Sequence, residues 1–412
     1  MIPSLDVEHL RTLFPALQRT VAGRPVAHLD GPGGTQVPQT VIDAMSECLS
    51  RGVSNLGGVF VASAEADELV EGARSAVADL VGGDRSEIVF GQNMTSLTFS
   101  ASRAIAREWK PGDEVVVTSL DHDANVSPWR LAAEDRGAQV RVADIDPEDG
   151  TLDLESLDGA IGERTRLVAV TAASNALGTV TPLTDIVEMA HRVGALVFVD
   201  AVHYSAHRIS DVRALGADFL AASAYKFFGP HTGLLWGKGE HLDRLTPYKV
   251  VPAPGSGPGK WETGTQAFES LAGVGGAVDY LAALGNGATR RERLESAFEA
   301  IRAHEDSLAE RFLAGIAEMP GVTVYGVADG ARLDERAPTF AVDVAGVTAR
   351  EAAAEMGRRG IFVWDGHYYA VAVMQRLDLA ARGGLVRIGF VHYNTPEEVD
   401  RVLAALDDIS RP

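Results

Sequence analysis

The residue best placed for covalent chemistry is Lys226, which sits between the apolar run Phe219-Leu-Ala-Ala222 and the turn Gly229-Pro-His-Thr-Gly233. A buried ammonium is costly unless paired, so a lysine there is either a salt-bridge partner or an amine kept for reaction. The second residue is Asp200, which directly follows the apolar run Ala195 to Val199 one crossover earlier. Strand ends in an open parallel sheet converge on one crevice. An amine and an acid meeting there suit an aldehyde cofactor, the lysine forming a Schiff base and the acid keeping a pyridinium nitrogen protonated.

Other polar residues follow the same pattern. His122 and Asn125 come after Val117, Asn175 after Val170, His203 after Asp200, and Ser223 after Ala222. Singly, each is an ordinary loop or cap residue; at the ends of four successive strands they share one edge of a sheet. Gly91-Gln-Asn-Met-Thr95-Ser96 is a polar turn feeding a helix start, where hydroxyls and free N–H groups can hold a phosphate or simply cap the helix. Asn55, in the loop Ser54 to Gly58, is a weaker site candidate. His203 and His207 have the spacing of two ligands on one helix face, but no glutamate lies between them and no third ligand is evident, so metal is the minor reading.

The elements that must position these residues alternate between strand and helix. Short apolar runs at Glu87–Phe90, Glu114–Val117, Arg166–Val170, Ala195–Val199 and Phe219–Ala222 are separated by helical patterns, which implies an α/β fold with a mostly parallel central sheet flanked by helices. Helices are expected over Leu5–Leu17, Val37–Leu49, Glu65–Val81, about Glu269–Gly285 and Arg290–Ala317. A smaller C-terminal α/β domain is expected from Val322–Val324, Thr339–Val342, Ile361–Val363 and Leu385–Gly389, alternating with helices. The expected division is a large domain over 30–285 and a small one from 1–29 with 286–412. Val251–Gly259, rich in proline and glycine, is expected as a surface loop.

Composition narrows the partners. The formal net charge of −20 over 412 residues opposes nucleic acid and anionic membranes. No apolar run reaches membrane-spanning length, and the start, Met-Ile-Pro-Ser-Leu-Asp, lacks a leader pattern, so a cytoplasmic location is expected. The single cysteine, Cys48, excludes an internal disulfide and falls on the apolar face of its helix, as a core residue would.

Several motifs together resemble the class V aminotransferase and cysteine desulfurase-like group of pyridoxal-phosphate (PLP) enzymes, fold type I, which includes cysteine desulfurases, selenocysteine lyases and isopenicillin N epimerase. They are Leu29-Asp-Gly-Pro-Gly-Gly34, Asp121-His-Asp-Ala-Asn125-Val-Ser-Pro-Trp129, Ser174-Asn-Ala-Leu-Gly178, Val199-Asp-Ala-Val-His203, Ser223-Ala-Tyr-Lys226, Glu262-Thr-Gly-Thr265 and Val386-Arg-Ile-Gly-Phe-Val-His-Tyr-Asn394. The resemblance implies that Lys226 carries the cofactor, Asp200 pairs with its ring nitrogen, and His122 stacks on the ring. Asn175 would lie near the phenolic oxygen and substrate, and Thr95, Ser96 and Ser223 would bind phosphate. Thr265 would reach the neighbouring active site of a homodimer, and Arg387 would clamp the substrate carboxylate.

Departures from the group's pattern point to the chemistry. His203 stands where desulfurases often have Gln, and Tyr225 where they have His; both can still donate a hydrogen bond to the cofactor. In Trp364-Asp-Gly-His-Tyr-Tyr369, Trp364 lies near the position of a desulfurase Arg and Tyr369 near that of the persulfide-forming Cys. A phenol cannot carry a persulfide. The resulting expectation is a PLP-dependent carbon–sulfur β-lyase without a persulfide step, with Tyr369, Tyr225 or His122 as proton donor to the leaving group and Trp364 and Tyr369 forming an aromatic pocket wall. An amino-acid epimerase, a class V aminotransferase, or an inactive binding protein on the same fold are the alternatives.

Overall fold

The computed structural model describes residues 5–411, so the leader-free reading of Met1 to Ser4 lies outside the described residues. The main sheet has seven strands: β1 Ile88–Gly91, β2 Glu114–Thr118, β3 Gln139–Ala143, β4 Thr165–Thr171, β5 Leu196–Asp200, β6 Phe219–Ser223 and β7 Gly233–Gly237. Their order across the sheet is β1-β7-β6-β5-β4-β2-β3. The pairs from β6 through β3 are parallel, and β7 runs antiparallel to both β1 and β6.

The continuous apolar runs follow from burial on both faces. Val116, Val168, Val170, Val197 and Val199 enter one core cluster, while the alternate residues Val115, Val117, Leu167, Ala169 and Phe198 enter another on the opposite face. Strand β3 lies at the edge and is largely exposed, which is why its sequence lacks such a run. Strand β7, Gly-Leu-Leu-Trp-Gly, is wholly buried.

Helices α1 Gln39–Arg51 and α2 Val61–Val81 pack against α4 Phe268–Ala283, and α3 Met94–Ile105 leaves the end of β1. Helix α5, Arg290–Ala317, opens with a Thr289/Glu292 capping box and leads away from the main sheet. The expected helix over Leu5–Leu17 is two pieces, Val7–Thr12 and a 3-10 turn at Pro15–Gln18, because proline disfavours helical backbone in the residue before it. Between them Phe14 is fully buried against Phe228, Tyr280, His392 and Tyr393.

The second sheet is antiparallel throughout, in the order β8 Val322–Tyr325, β9 Thr339–Val344, β11 Leu385–Gly389, β10 Trp364–Gly366. Two expectations are corrected here. A 3-10 segment, Gly330–Glu335, rather than an α-helix, links β8 to β9. Ile361–Phe362 is not a strand of this sheet: it pairs in parallel with Ala27–His28, which supply its hydrogen-bonding partner from the start of the chain. The strand that joins β11 begins three residues later, with Trp364 opposite Arg387 and Gly366 opposite Leu385. Asp30 bridges to Gly389, so the N-terminal segment is tied to this second sheet as well as to the main core. Among the described residues, no helix is long and apolar enough to cross a membrane.

Candidate active site

The strand ends named in the sequence meet at one edge. Thr171 at the end of β4 pairs with Asp200 at the end of β5, and Asp200 with Ala221 of β6. Gly233 at the start of β7 lies between Ser223 of β6 and Gly91 of β1. Above this edge is a cavity of about 930 Å³ lined by Thr171, Asp200, Ser223 and Lys226, and also by Thr95, Ser96, His122, Asn175, His203, Tyr225, Trp364, Tyr369 and Arg387.

Backbone geometry sets the polar turn on the β1 side. Asn93 caps α3 by accepting from the Ser96 N–H at 2.9 Å, and Ser223 Oγ accepts from the Met94 N–H at 2.9 Å, tying the end of β6 to this helix start. A Cβ on Gly233 would fall 2.3 Å from the Asn93 carbonyl carbon, so only glycine lets β7 run this close beneath the turn. Thr95 and Ser96 thus stand at the N-terminal end of a helix and face the cavity.

Charge in the cavity is shaped first by desolvation. Burial pushes the Asp200 carboxyl up to about 6, against the hydrogen bond it accepts from the Val202 N–H at 2.9 Å and the charge of Lys226. Burial and then the Arg387 charge bring the Lys226 amine down to about 7, with Asp200 opposing. Its Nζ donates to the Pro32 carbonyl and lies 4.9 Å from the Tyr225 ring centre. His122 is lowered to about 4 by burial, then by Lys226 and Arg387, and so is a neutral imidazole. Its Nδ1 accepts from the Ala124 N–H at 3.0 Å, which fixes the tautomer and the ring plane. His203, fully enclosed, is also held well below the ordinary histidine range by burial, its neighbour His207 adding to the effect. The two rings lie 4.9 Å apart edge to face, and His207 Nδ1 meets Glu305 Oε2 at 2.9 Å.

On the far wall, Arg387 Nη1 donates to the Asn175 carbonyl at 2.9 Å while its guanidinium lies 4.4 Å from the Tyr368 ring centre. Asn175 Nδ2 donates to the Tyr368 carbonyl at 2.8 Å. Three buried atoms here, Arg387 Nε, Asn175 Oδ1 and His203 Nε2, have no partner among the described residues. Tyr369 is 65% exposed, and its ring stacks on His122 with centroids 5.3 Å apart and planes 24° apart.

Not every candidate reaches the cavity. Asn55 is exposed on a turn whose carbonyl accepts from the Ser63 hydroxyl, outside this chain's cavity, and is corrected as a residue of the site within one chain. Thr265 is also exposed away from the cavity. Asn125 is buried beneath the His122 loop, its Nδ2 donating to Asp121 Oδ1 at 2.7 Å and its Oδ1 accepting from Trp129 Nε1 at 3.1 Å. Cys48 is buried on α1, its thiol pKa raised by burial and by Glu269, and does not line the cavity. Sequence reasoning missed His231, whose ring stacks on Tyr225 at 4.9 Å, and also His367 and Tyr368. His231 lies in the same short stretch as Lys226, and the other two lie inside the aromatic run ending at Tyr369, so their positions were the available signal.

Comparison with known proteins identifies the family and the fold. A cysteine desulfurase from Enterobacter sp. (strain 638) is 34% identical over 426 residues, spanning 98% of this chain and 98% of its own length. The apo structure of a cysteine desulfurase from Thermococcus onnurineus NA1 matches with a TM-score of 0.89 at 27% identity, covering 100% of this chain and 99% of that one. The cysteine desulfurase CsdA from Escherichia coli matches at 0.86 and 26% identity, with 99% of each chain covered. Residues 27–402 match the family described as Aminotransferase class-V, and the chain belongs to that family.

Proposed function

We propose that the chain is a carbon–sulfur β-lyase of cysteine-type amino acids that releases sulfur without storing it on the protein. The observation that carries this reading is that Lys226, Asp200 and Arg387 share one cavity while the only thiol, Cys48, lies outside it.

The cofactor is pyridoxal 5'-phosphate, as for the class V family. When bound, it supplies an aldehyde for amine exchange and an electron-withdrawing ring that stabilises negative charge at the substrate's Cα. The residues present fit it: a lysine and an acid meet at the sheet edge, hydroxyls stand at a helix start, and buried polar atoms of Asn175 and His203 have no partner within the described chain. Lys226 would hold the aldehyde and Asp200 the ring nitrogen. Thr95, Ser96 and Ser223 would hold the phosphate, and His122 would lie flat against the ring. His203, Tyr225 and Asn175 would serve its remaining polar edge.

Arg387 binds the substrate carboxylate through the edge of its fork that Asn175 leaves open. Lys226, its amine brought down to about 7, is in large part neutral at neutral pH and can take the Cα proton as a base. The departing thiolate takes a proton from water or from a phenol, Tyr369 or Tyr225; His122, held as a neutral imidazole by burial, is not that donor. Substrate and one water thereby give thiol, keto acid and ammonia. No cavity residue can receive the sulfur, because none is a cysteine. The enzyme is read as a cytoplasmic homodimer, and the exposure of Thr265 supports its reaching the cavity of a second copy.

The test is to supply cysteine, S-alkylcysteines and alanine, measuring thiol or sulfide, keto acid and Cα exchange in heavy water together. Equal thiol and keto acid, without an added sulfur acceptor, is the expected result. Keto acid without thiol would mean transamination, and Cα exchange alone would mean epimerisation.

A further inference from the structure

The cavity has to hold the cofactor as well as the substrate, and its outer part is walled by rings. At about 930 Å³ it falls in the upper part of the roughly 300–1,000 Å³ range of pockets that hold drug-sized ligands. Its mouth is walled by Trp364 at the start of β10 and Tyr369 just beyond its end, 52% and 65% exposed, the two large aromatic side chains most open to solvent in the lining.

Their placement is specific. Tyr368 and Tyr369 both adopt the left-handed backbone region, φ 51° and 59°, a conformation costing roughly 1–2 kcal/mol per non-glycine residue. It is held by the Asn175 side-chain amide donating to the Tyr368 carbonyl, the Asp123 N–H donating to the Tyr369 carbonyl, and the Tyr369 N–H donating to His367 Nδ1. The outcome is that the Tyr369 ring lies nearly parallel to His122, the residue at the inner end of the cavity. Gly33 leaves the space on which the Trp364 indole rests, since a Cβ there would fall 2.3 Å from Trp364 Nε1.

The charged lining complements the rings. Among the described residues, the only lysine and arginine in the cavity lining are Lys226 and Arg387, both largely buried, and Asp365 follows Trp364 in the wall. An anionic substituent beside Trp364 would meet the Asp365 carboxylate.

We infer that Trp364 and Tyr369 form a recognition site for an uncharged aromatic group on the substrate's β-substituent, so that the preferred substrates are S-aryl or S-benzyl conjugates of cysteine rather than cysteine itself. This rests on the β-lyase reading only for the fate of the conjugate; the recognition concerns binding. Flat rings meeting a flat group gain stacking beyond simple burial.

The experiment uses the holoenzyme and two uncleavable carbon isosteres, 2-amino-4-phenylbutanoate for S-phenylcysteine and norvaline for S-methylcysteine, with binding read by calorimetry and by the cofactor's absorption change. Thiol release from S-phenyl-, S-methyl- and S-carboxymethylcysteine is measured alongside. The phenyl isostere should bind about tenfold more tightly than norvaline, the difference that ~1.4 kcal/mol makes. Trp364→Ala and Tyr369→Ala should each shrink that ratio towards one, and S-carboxymethylcysteine should be the poorest substrate. Equal binding of the two isosteres, or a ratio unchanged in both variants, overturns the inference. A monomer–dimer change in the variants with the ratio intact also overturns it, assigning the rings to a subunit contact. Preferential binding of the phenyl isostere without thiol from any conjugate would instead overturn the lyase reading and leave the recognition site standing.

Discussion

Stripping the cofactor should leave Lys226 as an unusually reactive amine. An ordinary lysine, with a pKa near 10.4, has roughly one neutral amine in 2,500 at pH 7. With its amine brought to about 7 by burial and by Arg387, Lys226 would be about half neutral. The apo-protein should therefore react with an amine-directed reagent at this site on the order of a thousandfold faster than at an exposed lysine such as Lys110, on neutral fraction alone. The two neighbouring charges act in opposite senses. Arg387→Leu removes the cation that drives the proton off Lys226, so the midpoint should rise; Asp200→Asn removes the anion that retains it, so the midpoint should fall. Each displacement should be about one pH unit, the size of a ~1.4 kcal/mol differential interaction. The assay is peptide-resolved labelling of the apo-protein from pH 5 to 11, with Lys226→Ala as blank. A wild-type midpoint near 10, or displacements of the same sign in the two variants, would refute the reasoning.

Three further outcomes follow from particular contacts. Burial, outweighing its bonds to Thr118 and Asn125, pushes the Asp121 carboxyl up to about 8, so the folded protein binds a proton there that the unfolded chain releases near 4. Stability from this group is thus fully present below about pH 4 and lost as pH rises towards 8. Asp121→Asn, whose Oδ1 can go on accepting from Asn125 while its amide donates to the Thr118 hydroxyl, should gain melting temperature relative to wild type over that window, and parallel curves would contradict this. Gly233→Ala forces a Cβ against the Asn93 backbone, and should cost about 1–3 kcal/mol in chemical unfolding and weaken cofactor affinity, since the turn it displaces carries Thr95 and Ser96. Cys48→Ala should leave thiol release unchanged while lowering stability by roughly 1 kcal/mol; lost turnover in a folded variant would mean that sulfur passes through this residue.

How far the site could be read from the residues depended on how local each determinant is. Lys226 and Asp200 were legible because a charged residue within a few positions of a buried apolar run has few other uses, and the parallel pairing of β5 with β6 puts the ends of both runs at one sheet edge. The antiparallel direction of β7 was not legible, since a run such as Gly-Leu-Leu-Trp-Gly carries no polarity signal and is only oriented by its two neighbours. Edge strand β3 escaped because exposure removes its apolar pattern. Ile361–Phe362 looked like a sheet strand and is one, but its partner lies at the other end of the chain, a pairing no local pattern encodes. Asn125 was misjudged for a different reason: its side chain is spent on Asp121 and Trp129, each four residues away, rather than on the cavity, and a polar residue past a strand end does not reveal which way it turns.

The reversed strand β7 has a broader consequence. By running back between β1 and β6, it joins the lysine-bearing segment to the phosphate-type turn through main-chain hydrogen bonds, with Gly233 facing Ser223 on one side and Gly91 on the other. The distance between the two anchoring points is therefore a ruler cut into the backbone, indifferent to the side chains at the rim. Trp364, on the second sheet, and Tyr369, in the turn that follows its strand, lie outside that ruler, so substitutions there leave the spacing of the two anchoring points unchanged.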